Sequence, residues 1–225
     1  MSWRVENDGF AIIDNLLTAD EGQKLISLLG PVSGAGRRGL LGLPAIADLA
    51  RSGKLVALVR PYLAEKPKAV RAIYFDKTSD ANWSVTWHQD LLIAVREKME
   101  LAGFGPWSAK AGIPHVQPPV EFLEGMLTLR LHLDEADENN GALRVLPASH
   151  RFGVLSSEAM DQLCAQQKAV MCSVAAGGVL LMRPLLLHSS GRASSNGHRR
   201  VLHIEYAGFD LPAGLQWGEQ AARHG

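Results

Sequence analysis

From Pro67 onward the chain is written as short β-like runs, and this texture constrains the fold more than any other feature. The runs cover 70–75, 84–88, 126–133, 143–146, 170–174, 179–182 and 201–206. Turn signals such as Asn140-Gly141, Gly177-Gly178 and Asn196-Gly197 part them. One helix interrupts the series, opening at Ser156 or Ser157 and turning Met160, Leu163 and Cys164 inward. Many short strands without alternating helices predict an antiparallel sandwich or barrel and argue against a βαβ sheet. No internal repeat or low-complexity linker divides the 225 residues, so one mainly β domain with flanking helices is expected over 1–225.

The helices belong to roughly the first 66 residues. Residues 10–13 read as a short strand. Thr18 followed by Glu21 forms a capping box, Leu25, Ile26, Leu28 and Leu29 supply an apolar stripe, and Gly30-Pro31 ends that helix. A second helical stretch over 46–62 breaks at Ser52-Gly53, with Ile46, Leu49, Leu55, Leu58 and Val59 on its buried side. Between Leu91 and Gly125 the glycines and prolines predict a long loop, of the kind that serves as a lid or binding segment. That segment mixes Phe104, Trp107, Ile113 and Val116 with Lys98 and Lys110, which fits many small metabolites.

Charge and length narrow the function. Lys+Arg and Asp+Glu are both 23, so the basic excess that a nucleic-acid or anionic-membrane partner needs is missing. The longest apolar runs, 179–182 and 185–187, fall far short of the roughly 20 residues that span a bilayer. MSWRVENDGF lacks the apolar stretch of a signal peptide, and two cysteines make no disulfide framework. A cytoplasmic protein with a small-molecule substrate is expected; oligomeric state leaves no trace in the sequence.

The chemistry concentrates in a few positions. In Trp87-His88-Gln89-Asp90, a strand end would project His88 and Asp90 from one face, where an imidazole and a carboxylate can take adjacent positions on a metal. Alone, such a pair is more often an exposed polar pair. A further His would complete the two-His-one-carboxylate set of non-haem Fe(II) oxygenases. His188 ends the apolar run from Arg183 and is the candidate, with a core histidine bonded to a carbonyl as the even alternative. Arg199-Arg200 opens the strand over 201–206; one of these offers a fork of donors to a dicarboxylate, and the other reads as a solvated strand-end charge. Thr128, Arg130 and His132 share one strand face and are substrate-contact candidates. Lys77 and Asn82 read as surface groups, Trp87 as a core aromatic, His150 as structural, and the acidic 134–138 run as a solvated loop. His115 is not expected to be a ligand. The GAGRRG loop at 34–39 is a flexible turn more often than a phosphate cradle.

Three segments taken together are more specific. WHQDL (87–91), NNGALRVLPASHRFGVL (139–155), and GGVLLMRPLLLHSSG (177–191) with HRRVLHIEYA (198–207) resemble the phytanoyl-CoA dioxygenase family of Fe(II)/2-oxoglutarate-dependent oxygenases, over about 73–207. The resemblance implies a double-stranded β-helix, a jelly-roll or cupin-like barrel with iron between its two sheets. It also implies His88, Asp90 and His188 as the iron ligands. The family's 2-oxoglutarate arginine lies eleven residues beyond the distal His, which favours Arg199 over Arg200, and the hydroxyl two positions beyond that His falls on Ser190. Arg130 stands where other members carry Trp and faces the co-substrate, so phytanoyl-CoA is not implied as the substrate, and no segment reads as a coenzyme A site. The implied reaction consumes O2 and 2-oxoglutarate and hydroxylates an unactivated C–H bond of a small metabolite. Desaturation or epimerisation would use the same ligands, and a non-catalytic metal- or metabolite-binding cupin-like protein is the rival class. A carboxylate at Asp90 disfavours halogenation.

Overall fold

Residue alternation along the central strands gives the main sheet two faces of opposite chemistry. The computed structural model describes residues 3–219 apart from 33, 35, 111, 195 and 213. Its helices are α1 (Val5–Asp8), α2 (Ala19–Leu29), α3 (Pro44–Arg51), α4 (Gly53–Val59), α5 (Val120–Glu124) and α6 (Ser157–Gln166). Its strands are β1 (Phe10–Ile13), β2 (Lys68–Lys77), β3 (Val85–His88), β4 (Ile93–Ala94), β5 (Trp107–Lys110), β6 (Ile113–Val116), β7 (Met126–His132), β8 (Leu143–Val145), β9 (Val170–Met171), β10 (Val179–Met182), β11 (His188–Ser190) and β12 (Arg199–Ala207). A five-stranded sheet of order β1-β10-β7-β12-β2 faces a four-stranded sheet of order β3-β11-β8-β9, and the pairings are antiparallel. This is the double-stranded β-helix that the sequence motifs imply.

On the outer face of the large sheet, Leu127, Leu129, Leu131, Leu202, Ile204 and Tyr206 form one buried cluster with Leu41, Ile46, Leu55 and Val59 of the helical layer. Burying a side chain of this size is worth about 1.5–3 kcal/mol each, so this face fixes the sheet to the helices. Thr18 and Glu21 make the expected capping box on α2, and Ser52 caps α4 after the expected break. On the inner face, Phe10, Leu180 and Met182 join Val145 and Leu186 in a second apolar cluster at one end. The other end carries Arg130, Arg199, His203, Glu205, Arg71 and Lys77, and that is where the site lies.

Two sequence expectations need correction. The 91–125 segment is not a long loop: β4, β6 and β5 form a three-stranded sheet, followed by α5, and Ile93, Val95, Val116 and Leu123 bury against Leu185 and Leu215. Its glycines and prolines punctuate very short strands, and a period-2 pattern cannot register in two to four residues. On α6, Met160, Leu163 and Cys164 take the covered side as expected, half-buried because that helix lies on the surface with no fully buried residue. Leu28 of α2 is 47% exposed, outside the stripe that Leu29 anchors.

Candidate metal centre and its cavity

The antiparallel pairing of β3 with β11 sets His88 directly across from His188. Their ring centroids lie 4.1 Å apart. Asp90 follows two residues after His88, and its carboxylate oxygens stand 3.8 Å from His88 Nε2 and 3.7 Å from His188 Nε2. One ligand atom from each of the three groups lies within 4.8 Å of the others, a spacing that a single ion can bridge.

Each imidazole is oriented by its own strand. His88 Nδ1–H donates to the Thr86 carbonyl at 2.9 Å and His188 Nδ1–H to the Leu186 carbonyl at 2.8 Å. A carbonyl only accepts, so the proton sits on Nδ1 and the Nε2 lone pairs face Asp90. Burial pushes His188 down to about 4, against the pull of Asp90, so its ring is neutral at ordinary pH. Burial opposes the charge of Asp90 as well, but His188, His203, His88 and Arg130 outweigh it and hold the carboxyl below its usual range. Two Nε2 lone pairs and a carboxylate make a donor set that suits a divalent metal.

Gln89 is the piece that sequence reading passed over. Alternation turns it away from the two ligands, and its amide donates to the Gly153 and Leu185 carbonyls at 2.8 and 2.7 Å while accepting from Leu155 N–H at 2.9 Å. With Asp90 N–H donating to Pro184 O at 2.9 Å, the two ligand-bearing segments are tied together behind the ligands.

A cavity of about 180 Å3 opens beside the triad. At one end Arg199 is 2% exposed; its Nη1 donates to Gly141 O at 2.9 Å and its Nε has no partner. Ser190 is buried beside it. Lys77, expected on the surface, is 1% exposed, because β2 pairs with β12 so that Lys77 is the cross-strand neighbour of Arg199 on the inner face. Its ammonium donates to Gly191 O at 2.6 Å and reaches Ser190 Oγ at 3.5 Å. Burial, then Arg199 and Arg130, push it down to about 8. Three buried donors with no carboxylate among their partners in the described residues make a ready receptor for one.

Arg200 turns to the opposite face, where Asp134 clamps it with two 2.6 Å contacts. It is thus a half-buried ion pair, not a solvated charge, and Asp134 is not part of a merely solvated run. Of the Thr128, Arg130 and His132 face, Arg130 lines the cavity, Thr128 lines a small adjoining one with Asp90, and His132 lies behind, buried and lining neither. Arg130 Nη1 donates to His203 Nδ1 at 2.9 Å, so His203 Nε2–H is free to donate to Glu205 at 3.3 Å; Glu205 also accepts from Arg71 at 3.1 Å. Reading 71, 73, 75 and 77 at period 2 would have placed Arg71 and Lys77 on one face with Ile73 and Phe75. The remaining candidates are structural: Asn82 bonds Ala193 in both directions, buried His115 donates to Ile113 O, and His150 packs on Gly9, where a Cβ would meet it at 2.6 Å. Trp87 is half-buried, and Arg38 of the GAGRRG loop lines the cavity mouth.

A model of the phytanoyl-CoA dioxygenase family matches residues 5–201. A probable alpha-ketoglutarate-dependent hypophosphite dioxygenase of Stutzerimonas stutzeri is 31% identical over 181 residues, 74% of this chain and 54% of that protein, so the chain spans about half the length of this curated relative. Among solved structures, apo EctD from S. alaskensis has a TM-score of 0.69 at 18% identity, over 96% of this chain and 84% of that one. Iron-bound HygX from Streptomyces hygroscopicus has a TM-score of 0.64 at 16% identity, over 90% and 83%. AviO1 from Streptomyces viridochromogenes Tue57 has a TM-score of 0.63 at 22% identity, over 93% of each chain. At such identities these structures speak for the fold.

Proposed function

The chain belongs to the phytanoyl-CoA dioxygenase family, and on that premise we propose that it is an Fe(II)- and 2-oxoglutarate-dependent dioxygenase of a small-molecule substrate. The observation that carries this reading is the juxtaposition, in one cavity, of His88, Asp90 and His188 with the buried Arg199 and Ser190, behind which the Lys77 ammonium reaches Ser190 Oγ at 3.5 Å. His88, Asp90 and His188 would hold ferrous iron, which couples oxidative decarboxylation of 2-oxoglutarate to succinate and CO2 with insertion of the other oxygen atom of O2 into a substrate bond.

The chain's own residues do the positioning. The two carbonyl-bound imidazoles present fixed lone pairs, and Asp90 supplies the negative charge. Arg199 and Lys77 neutralise the distal carboxylate of the oxo acid, with the Ser190 hydroxyl beside them. Arg130 stands between this end and the triad, stacked 5.6 Å over Phe75, where a bulky aromatic substrate arm would have to displace it. The small sheet of β4, β6 and β5 brings Lys110 to the cavity and is the candidate lid. A cytoplasmic setting fits the two free cysteines. No helix among the described residues is long and apolar enough to cross a membrane.

The test is anaerobic Fe(II) plus 2-oxoglutarate, which should give the weak visible charge-transfer band of the chelate. Aerobic succinate release should then follow with a panel of small metabolites that includes hypophosphite, with His88→Ala as the blank. Absence of both signals from wild-type protein would refute the assignment.

A further inference from the structure

Cationic groups in the cavity outnumber what metal and co-substrate account for. Arg38, Arg71, Lys110, Arg130 and Arg199 line it against two carboxylates, Asp90 and Glu205, an excess of three positive charges. A divalent metal and a dianionic oxo acid cancel one another, so the excess stands after both are bound.

These charges are not in one place. Arg199 and Glu205 lie six residues apart on β12, roughly 20 Å at about 3.3 Å per residue, and Arg71 is the cross-strand neighbour of Glu205. Nothing bound at Arg199 through a single carboxylate can reach Arg71. The GAGRRG loop is laid along β2 from its middle toward Arg71: Arg37 N–H donates to Tyr74 O at 2.8 Å and Tyr74 N–H to Arg37 O at 2.9 Å. Arg37 turns outward to the Leu29 carbonyl, so alternation sends Arg38 to the cavity side. Buried Glu219 accepts from the N–H groups of Gly39 and Ala72 at 3.1 and 3.0 Å and pins the loop there. Lys110 arrives from β5. Neither Arg38 nor Lys110 has an ion-pair partner among the described residues, and Arg130, 7% exposed, has a His203 ring nitrogen as its hydrogen-bond partner and an unpartnered Nε.

We propose that this mouth, formed by Arg38, Lys110 and the Arg71–Glu205 pair, is a second anion subsite that holds the oxyanion group of the primary substrate, a carboxylate or a phosphorus oxyanion. Three separate segments converge there, and a solvated charged face would not need a buried carboxylate to hold its loop. The inference rests on the dioxygenase reading for what then happens to the bound molecule; the subsite itself stands on the placement of the charges.

The experiment is calorimetric titration of the Ni(II)-loaded protein, saturated with 2-oxoglutarate, with inorganic phosphate, methylphosphonate, acetate, acetamide and tetramethylammonium. The anions should bind, the neutral and cationic probes should not, and added salt should weaken the anions. In the double variant Arg38→Ala/Lys110→Ala anion affinity should fall roughly tenfold while 2-oxoglutarate affinity stays within about twofold. Preference for methylphosphonate over acetate would identify a phosphorus oxyanion, the reverse a carboxylate, and both outcomes support the subsite. Equal anion binding by wild type and double variant, or acetamide binding as well as acetate, would overturn it. Loss of the 2-oxoglutarate complex in wild type would strike the dioxygenase reading instead, and the same titrations on metal-free protein would still decide the subsite.

Discussion

His88 and His188 reach the same tautomer by the same local device, a ring N–H returned to the carbonyl two residues earlier. Arg199 and Arg200 show the opposite case, adjacent and alike in chemistry yet separated by strand alternation into different roles. Removing one partner of a buried charge pair costs about 2–5 kcal/mol, so Arg199→Ala should weaken 2-oxoglutarate binding by roughly thirty- to several-thousand-fold, with metal stoichiometry kept. Arg200→Ala loses the Asp134 clamp and should cost about 1–2 kcal/mol of stability without changing 2-oxoglutarate affinity. Calorimetry and denaturant unfolding separate the two, and equal binding losses would mean that the wrong arginine has been chosen. Lys77 adds a pH dependence. Burial, Arg199 and Arg130 all favour its neutral amine, so its charge is present below about 8 and lost above. Affinity for the dianion should therefore fall as pH rises through that value, and Lys77→Met should bind more weakly with a flat profile over the same range; an unchanged wild-type profile in the variant would remove Lys77 from the carboxylate site.

At the scale of elements, the co-substrate end is assembled by the turn after β7 closing on β11 and β12. Gly141 has φ +76°, and a Cβ there would meet Gly191 O at 2.5 Å and Lys77 Nζ at 3.0 Å. Its own carbonyl receives Arg199. Gly141→Ala should thus cost about 1–3 kcal/mol and weaken 2-oxoglutarate binding together, read as a lower unfolding midpoint and a higher Kd; a variant as stable and as tight as wild type would show that the turn has slack. The turn itself was legible, since Asn-Gly between apolar runs is a strong local signal. What Gly141 touches was not, because both neighbours come from distant strands. The same holds for 91–125, where punctuation was read correctly as breaks but the strands between were too short to carry a period.

On the scale of the molecule, the helical layer of α2, α3 and α4 and the chemistry are on opposite sides of one sheet. No residue of α2, α3 or α4 lines the cavity, so Leu55→Ala, at a fully buried position of the helical layer, should cost about 2–5 kcal/mol while the folded protein binds metal with unchanged stoichiometry. A loss of metal binding in the folded variant would mean that the sheet cannot hold its inner face without that support. The sequence by itself determined the strand texture and the helix caps and breaks, because periodicity acts within a few residues of chain; His88, Asp90 and His188 emerged as candidates only from the family resemblance of three separate motifs. Only the tertiary structure decided that Lys77 is buried, that Arg200 is clamped outward, that Gln89 ties the ligand segments together, and that Arg38, Arg71 and Lys110 share one opening. Those facts depend on cross-strand register, which pairs residues more than a hundred positions apart and is set by the summed burial of both sheet faces, a quantity no local window contains.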